Sequence, residues 1–272
     1  VVVSENPAVG HRQSLQRVFA PEYCGELRRS ESRLVPLVKD ERRIIAVRAA
    51  SEVRDGAVVN LGSGIPEGVG RVMAEQRRSN RVFLTLESGV SGGVLETQPD
   101  FGIAANPDAI IRHDDQFLFY NAGGIDTACL AFAQVDPDGN VNVSRFSGRT
   151  TGSGGFVDIA QNAKEVVYCG TFTSGGLKTQ IAAGGITIEK EGRFRKFVKR
   201  VDQITASGSF AKATGQKVRF VTERCVFDLT PEGLLLVEVA TGIDVKKDIL
   251  DQMDFAPLVA PTLRTMPPEC FE

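Results

Sequence analysis

The sequence predicts an α/β protein: an open, largely parallel sheet with flanking helices and added β-hairpins. Three observations carry that prediction. Short apolar runs alternate with segments of helical spacing. Glycine-rich turns follow the apolar runs directly, so the chain reads strand, glycine loop, helix, strand, glycine loop. The 28 glycines among 272 residues also gather at those junctions, where a backbone must turn sharply or approach a ligand closely.

Residues 1–39 show the least periodicity. Charges and prolines break the short apolar runs of VVVSENPAVGHRQSLQRVFAPEYCGELRRSESRLVPL, so the stretch reads as the tail of a preceding domain plus a linker, with the main domain over 40–272. The chain opens on Val1, inside an apparent strand, and is expected to be a piece of something longer. A helix is predicted from Asp40, a good N-cap, through Ile44, Ile45, Val47, Arg48 and Ala50. The strand Ala57–Asn60 follows, then the turn Leu61-Gly62-Ser63-Gly64-Ile65. Pro66 suits the first turn of a helix. The next strand, Arg81–Leu86, runs straight into Glu87-Ser88-Gly89-Val90-Ser91-Gly92-Gly93. In a parallel sheet ligands bind outside the carboxyl ends of the strands, so both loops should open onto one edge. Further on, LAFAQV and NVNVS form a hairpin across Asp136-Pro137-Asp138-Gly139. Gly152-Ser153-Gly154-Gly155 precedes a helix over Phe156–Ala163 and the strand VVYCG. A hairpin in ITIEKEGRFRKFV, a strand pair around Pro231-Glu232-Gly233 and a last helix in DVKKDILDQM complete the reading.

Composition removes several function classes. Hydrophobic residues at 42% and charged ones at 24% give the balance of a globular protein. A net charge of −2 supplies no field to recruit nucleic acid or an anionic membrane. Trp is absent and aromatics reach 7%, too sparse for a base-stacking platform. Cys24, Cys129, Cys169, Cys225 and Cys270 are odd in number and form no CxxC pair. They read as small core residues in a reducing compartment, the cytoplasm, rather than as a disulfide framework or zinc ribbon. With His11 and His113 alone, no multi-histidine metal centre can be built. No apolar stretch nears the ~20 residues of a membrane span. Neither a metal nor a cofactor is expected.

Glu87 is the most suggestive residue for chemistry. It leaves a strand beside small residues, and a carboxylate there can serve as general base or direct nucleophile; the alternative is a solvated or capping strand-end glutamate. Gly62-Ser63-Gly64 invites a dinucleotide reading, but the third glycine of G-x-G-x-x-G falls at Glu67, whose charge would repel a pyrophosphate. The loop can instead offer Ser63 or Gly64 N–H to an oxyanion, or be a plain tight turn. Gly152-Ser153-Gly154-Gly155 carries the same ambiguity. Asp126 and Asp158 each follow a glycine pair and are expected to hydrogen-bond back to it. His113 reads as a solvated surface residue. RFRKFVKR (193–200) reads as an edge strand whose basic residues discourage further pairing.

In order and spacing, DERRIIAVRAA, VVNLGSGIPEGV, LTLESGVSGG, NPDAII, GGIDTACLAFAQVDPDGNVNVSRF, TGSGGFVDIAQNAKEVVYCGTFTSGGLK and GIDVKKDIL resemble the family I coenzyme A-transferases of the acetate/propionate type. The resemblance runs from about Asp40 to Phe255. PEYCGELR in the opening segment is similar to the end of that family's first half. It implies the CoA-transferase fold and the second, glutamate-bearing half of a two-half enzyme. It implies ping-pong transfer of CoA between an acyl-CoA and a short carboxylic acid, through a thioester on Glu87. Oxyanion amides would map to Ser63, Gly64 and Gly155, with Asn142 as a side-chain donor. Gly62, Gly89, Gly154 and Asn140 would contact substrate. The implied partners are the missing first half and further copies of the chain as a homo-oligomer, with neither nucleic acid nor membrane; CoA enters as substrate. Two features depart from the family: Ser63 stands where an aliphatic residue is usual, and the first half is missing. An acyl-CoA hydrolase using the same glutamate and a non-catalytic acyl-CoA-binding domain remain as alternatives. A nicotinamide oxidoreductase stands further off.

Overall fold

The computed structural model describes residues 4–30, 36–146, 148–182 and 184–272. Asp40 starts helix α1 (Glu41–Ala50) by accepting the N–H groups of Arg42 and Arg43, which leaves fewer orphan donors in the first turn. Strand β1 (Val58–Leu61) leads through the glycine turn into α2 (Glu67–Glu75), and β2 (Phe83–Thr85) runs toward Glu87. Two short strands, β3 (Val90–Ser91) and β4 (Ala109–Ile110), follow it before α3 (His113–Asn121). Then come β5 (Thr127–Ala131), α4 (Phe156–Asn162), β6 (Glu165–Cys169), α5 (Gly208–Thr214) and β7 (Lys217–Val221). The chain finishes the sheet with β8 (Cys225–Thr230), β9 (Gly233–Val239) and β10 (Leu258–Thr265).

These ten strands form one sheet in the order β10-β9-β8-β7-β6-β5-β1-β2-β3-β4, and the remaining short strands among the described residues pair two by two. Its centre, β7 to β2, is parallel throughout; β8 and β9 extend one side, and β3 and β4 the other, in antiparallel pairing. Alternate residues serve opposite faces. Ala128, Leu130, Val166, Tyr168 and Phe220 join the core under α3, α4 and α5, while Cys129, Val167, Cys169 and Val221 join the core under α1 and α2. Burial on both faces is why these strands are nearly unbroken apolar runs. Each fully buried aliphatic side chain contributes roughly 1.5–3 kcal/mol. Four of the five cysteines are buried and Cys24 is exposed, all as free thiols.

Topology decides where a ligand can sit. From β1 the chain moves to β2 on one side and returns to β5 on the other. The β1/β5 boundary is therefore the switch point, with a crevice outside its carboxyl ends.

Three expectations need correction. ITIEKEGRFRKFV is not a hairpin on itself: Gly185–Lys190 pairs with the preceding Lys178–Ala182, and Phe194–Arg195 pairs with Thr173–Ser174. Gly192 is the reason, since a side chain there would strike the Ser174 backbone; the glycine serves close approach rather than a turn. RFRKFVKR is strand only at Phe194–Arg195, one edge of a two-stranded ribbon, and the residues after it turn inward. Phe197 is fully buried, and Lys196 Nζ donates to the Phe132 carbonyl at 3.2 Å while lying 4.8 Å from the Phe132 ring centre. Finally, DVKKDILDQM winds as a wide π-type turn (Val245–Ile249) and a 3-10 turn (Leu250–Gln252), not an α-helix. The Asp248 carbonyl is taken by Arg224 Nη1 at 2.9 Å, and the Asp248 carboxylate by the Asp244 N–H at 2.9 Å.

The opening segment packs on the chain that follows β3. Ala20 and Tyr23 bury against Ala105 and Ile103, Ser14 donates to Asp100 at 2.7 Å, and Arg29 pairs with Glu96 at 2.8 Å. Among the described residues no helix is long and apolar enough to cross a membrane.

Candidate active site

A cavity of about 200 Å³ opens at the switch point. Asn60, Leu61, Gly62 and Ser63 wall it from the end of β1, Leu130 and Ala131 from β5, and Gly154, Gly155 and Phe156 from the turn into α4. Glu87 and Phe101 close the remaining side. Asn60 and Thr85 are register partners across β1 and β2, so their side chains stand together on one face, and Glu87 lies two residues beyond Thr85. Leu84 and Leu86 take the other face, in the core with α1 and α2. Glu87 is half-buried. Its Oε2 lies so close to Gly155 that a methyl group at that glycine would collide with it and with the Phe117 ring.

The structure thus brings Glu87, Gly62, Ser63, Gly154 and Gly155 to one cavity. Among the described residues, the N–H groups of Ser63, Gly154 and Gly155 donate to no protein acceptor. They are free for a ligand.

Four other residues are placed differently. Gly64 N–H is spent on Glu67 Oε1 at 2.7 Å, an oxygen that also accepts from Ser63 Oγ at 3.2 Å. This corrects Gly64 as an oxyanion donor, and it explains physically why the dinucleotide fingerprint fails: the protein's own carboxylate fills the loop where a pyrophosphate would sit. Asn142 is fully buried, and both hydrogens of its amide are committed, to Gln134 Oε1 and the Arg145 carbonyl at 2.7 Å each. It has no proton left for a substrate. Gly89 (φ +97°) supports the turn after β2 against the Ile111 carbonyl, rather than lining the cavity. Asn140 is held by the Gly208 N–H at 3.0 Å and by Asp136 at 3.1 Å.

Neither aspartate bonds back to its glycine pair. Asp126 accepts Lys164 Nζ at 2.7 Å and the Val58 N–H at 2.9 Å, and these partners, Lys164 foremost, hold its carboxyl below the usual range. Asp158 makes no cap to α4. His113 is exposed and rests 4.8 Å from the Phe117 ring.

Sequence reasoning missed the layer beneath Glu87. Asn60 Nδ2 donates to Tyr120 Oη at 3.0 Å, and Tyr120 donates to Thr85 Oγ1 at 3.0 Å. Burial, with a smaller push from the Glu87 charge, raises the Tyr120 phenol to about 12, so it stays protonated and able to donate. The visible signal was a lone polar residue inside the apolar run Val-Val-Asn-Leu.

No protein-family model matches the chain. Acetate CoA-transferase YdiF of Escherichia coli O157:H7 is 43% identical over 247 residues, covering 91% of this chain and 46% of that protein. Caffeate CoA-transferase of Acetobacterium woodii is 42% identical over 253 residues, covering 91% and 48% respectively. A crystal structure of the E. coli O157:H7 acyl-CoA transferase YdiF, as a thioester complex with CoA, superimposes with a TM-score of 0.82 at 44% identity, over 88% of this chain and 45% of that one. The chain spans about half the length of the curated relatives it matches.

Proposed function

Because the chain belongs to the coenzyme A-transferases, we propose that it is the glutamate-bearing half of an enzyme moving CoA from a short-chain acyl-CoA to a carboxylic acid, with Glu87 as nucleophile. One observation carries the reading: the Glu87 carboxylate lies against Gly155 in a cavity lined by Ser63, Gly154 and Gly155, whose N–H groups take no protein acceptor among the described residues.

In the proposed cycle a Glu87 oxygen attacks the thioester carbonyl, the carbon–sulfur bond breaks, and CoA leaves as thiolate. The product is an acyl-glutamyl anhydride. The thiolate then attacks the Glu87 carbonyl carbon and expels the first acid as carboxylate, leaving CoA on Glu87 as a thioester. A second carboxylate reverses both steps. Each exchange swaps one carboxyl derivative for another, so no step is steeply uphill. Every tetrahedral intermediate carries an oxyanion, and each pre-placed N–H donor is worth about 3 kcal/mol at that stage. Binding energy from the remote CoA arm can orient the reacting atoms.

The missing half would complete the acyl pocket, and further copies would form a homo-oligomer. No cofactor enters this scheme, since CoA is a substrate. Free thiols suit the reducing cytoplasm.

The test is to trap the intermediate. Acyl-CoA without an acceptor acid, followed by borohydride, should reduce the thioester and mark Glu87 in a peptide map, while Glu87→Gln should show no adduct. Full turnover by Glu87→Gln would end the proposal. An adduct that discharges to water rather than to added acid would favour a hydrolase, and binding with no adduct a non-catalytic domain.

A further inference from the structure

Beneath Glu87 the cavity wall holds a polar group that the proposed chemistry leaves unused. Asn60 lines the cavity at 1% exposure, and its Oδ1 is buried with no hydrogen-bond partner.

Which amide atom is left over follows from a relay that ends on a pure acceptor. The Val59 carbonyl has no proton, so it takes the Thr85 hydroxyl proton at 3.1 Å. Thr85 Oγ1 then has only lone pairs to offer and takes the Tyr120 O–H. Tyr120 Oη, its proton given, takes Asn60 Nδ2–H. The Thr85 carbonyl, a second pure acceptor, faces the same Nδ2 at 3.4 Å. Turning the amide over would set its oxygen against two sets of lone pairs. The relay therefore holds the nitrogen inward and leaves Oδ1 as the unpaired atom.

An unpaired buried acceptor is costly to maintain. It also discriminates strongly, because a ligand lacking the matching donor leaves the cost in place. Depth indicates which part of a substrate would meet it. Glu87 is half-buried, whereas Asn60, which lines the same cavity, is the more deeply buried of the two. A cavity of about 200 Å³ is far too small for the CoA arm, which must leave through the mouth, so the acyl group is what extends downward. Among neutral donors a short acid can carry there, a hydroxyl fits; an ammonium would bury an uncompensated charge.

Resting on the CoA-transfer reading, we propose that Asn60 is a specificity-determining residue, selecting acyl groups with a hydroxyl at C2 or C3 whose O–H donates to Asn60 Oδ1. The test compares 2-hydroxypropanoate with propanoate, and 3-hydroxybutanoate with butanoate, as CoA acceptors for this chain assembled with its other half. In at least one pair the hydroxy acid should have a kcat/KM about tenfold or more above its deoxy partner. Tyr120→Phe keeps the ring packing but ends the relay and frees the amide to turn, so it should collapse that ratio toward unity. Transfer without preference in either pair, or a preference that survives Tyr120→Phe, overturns the role of Asn60 and leaves CoA transfer standing. Transfer to none of the four acids overturns both.

Discussion

Alanine at position 155 is the sharpest probe of whether Glu87 acts from where it sits. Gly155 has φ −77°, a value any residue adopts, so the added methyl brings no backbone strain and its effect is steric. The new Cβ would lie 2.6 Å from Phe117 Cζ, where ordinary contact begins near 3.4 Å, and closer still to Glu87 Oε2. Ring and carboxylate must each retreat by about 1 Å. A displacement of that size at a reacting group costs about 100-fold in rate, or about 2.7 kcal/mol on the barrier. Folding should lose less, roughly 1 kcal/mol, the low end for overpacking where neighbours can yield. The assay is rapid-quench measurement of the CoA–protein adduct by intact mass, with a thermal melt alongside. Gly154→Ala is the control. Its methyl meets nothing within 4 Å, but its backbone sits at φ +52°, so it should lose roughly 1–2 kcal/mol of stability while forming adduct at a near-normal rate. Adduct formation by Gly155→Ala at the wild-type rate would refute the reasoning, because the carboxylate could then not be the attacking group in this geometry.

Two further outcomes separate structural from chemical roles. Asn142→Ala strips the partner from the Ser144 and Arg145 N–H groups and from the Arg145 carbonyl, so it should cost on the order of 2–4 kcal/mol in urea unfolding; a rate collapse with unchanged stability would restore it as an oxyanion donor. Lys196 has its pKa lowered to about 8, mainly by burial, against about 10.4 in an unfolded chain. Between those values the unfolded state binds more protons, so this group makes stability rise with pH, by on the order of 1–3 kcal/mol from pH 8 to 10. Urea midpoints at pH 7.5 and pH 10 should show wild type gaining on Lys196→Met; a constant difference between them would show that Lys196 does not titrate in that window.

What the chain revealed before folding, and what it hid, divides along a physical line. The parallel core was legible because strands buried on both faces must be apolar throughout, as in Val166–Cys169. Glu87 was legible because a carboxylate directly after such a run has to emerge at the sheet's rim. Helix α1 announced itself through Asp40. The errors came where a residue type was read without its partner. ITIEKEGRFRKFV read as a hairpin until the Ser174 backbone came against Gly192, and RFRKFVKR read as a basic edge until Phe132 covered Lys196.

The oxyanion donors show the same division most sharply. Every glycine loop offers N–H groups, and composition marks those loops easily. Whether a given N–H remains unspent depends on which acceptors the finished fold brings near. Glu67 takes Gly64 but leaves Ser63 N–H; Gln134, eight residues away across a hairpin, takes Asn142. Asn60 is the complementary case, an acceptor left unpaired because Tyr120, sixty residues along the chain, claims its nitrogen. Donor and acceptor identity is local, whereas availability belongs to the fold. Reactive groups in this cavity are those whose partners have been withheld, and only the packed structure reveals the withholding.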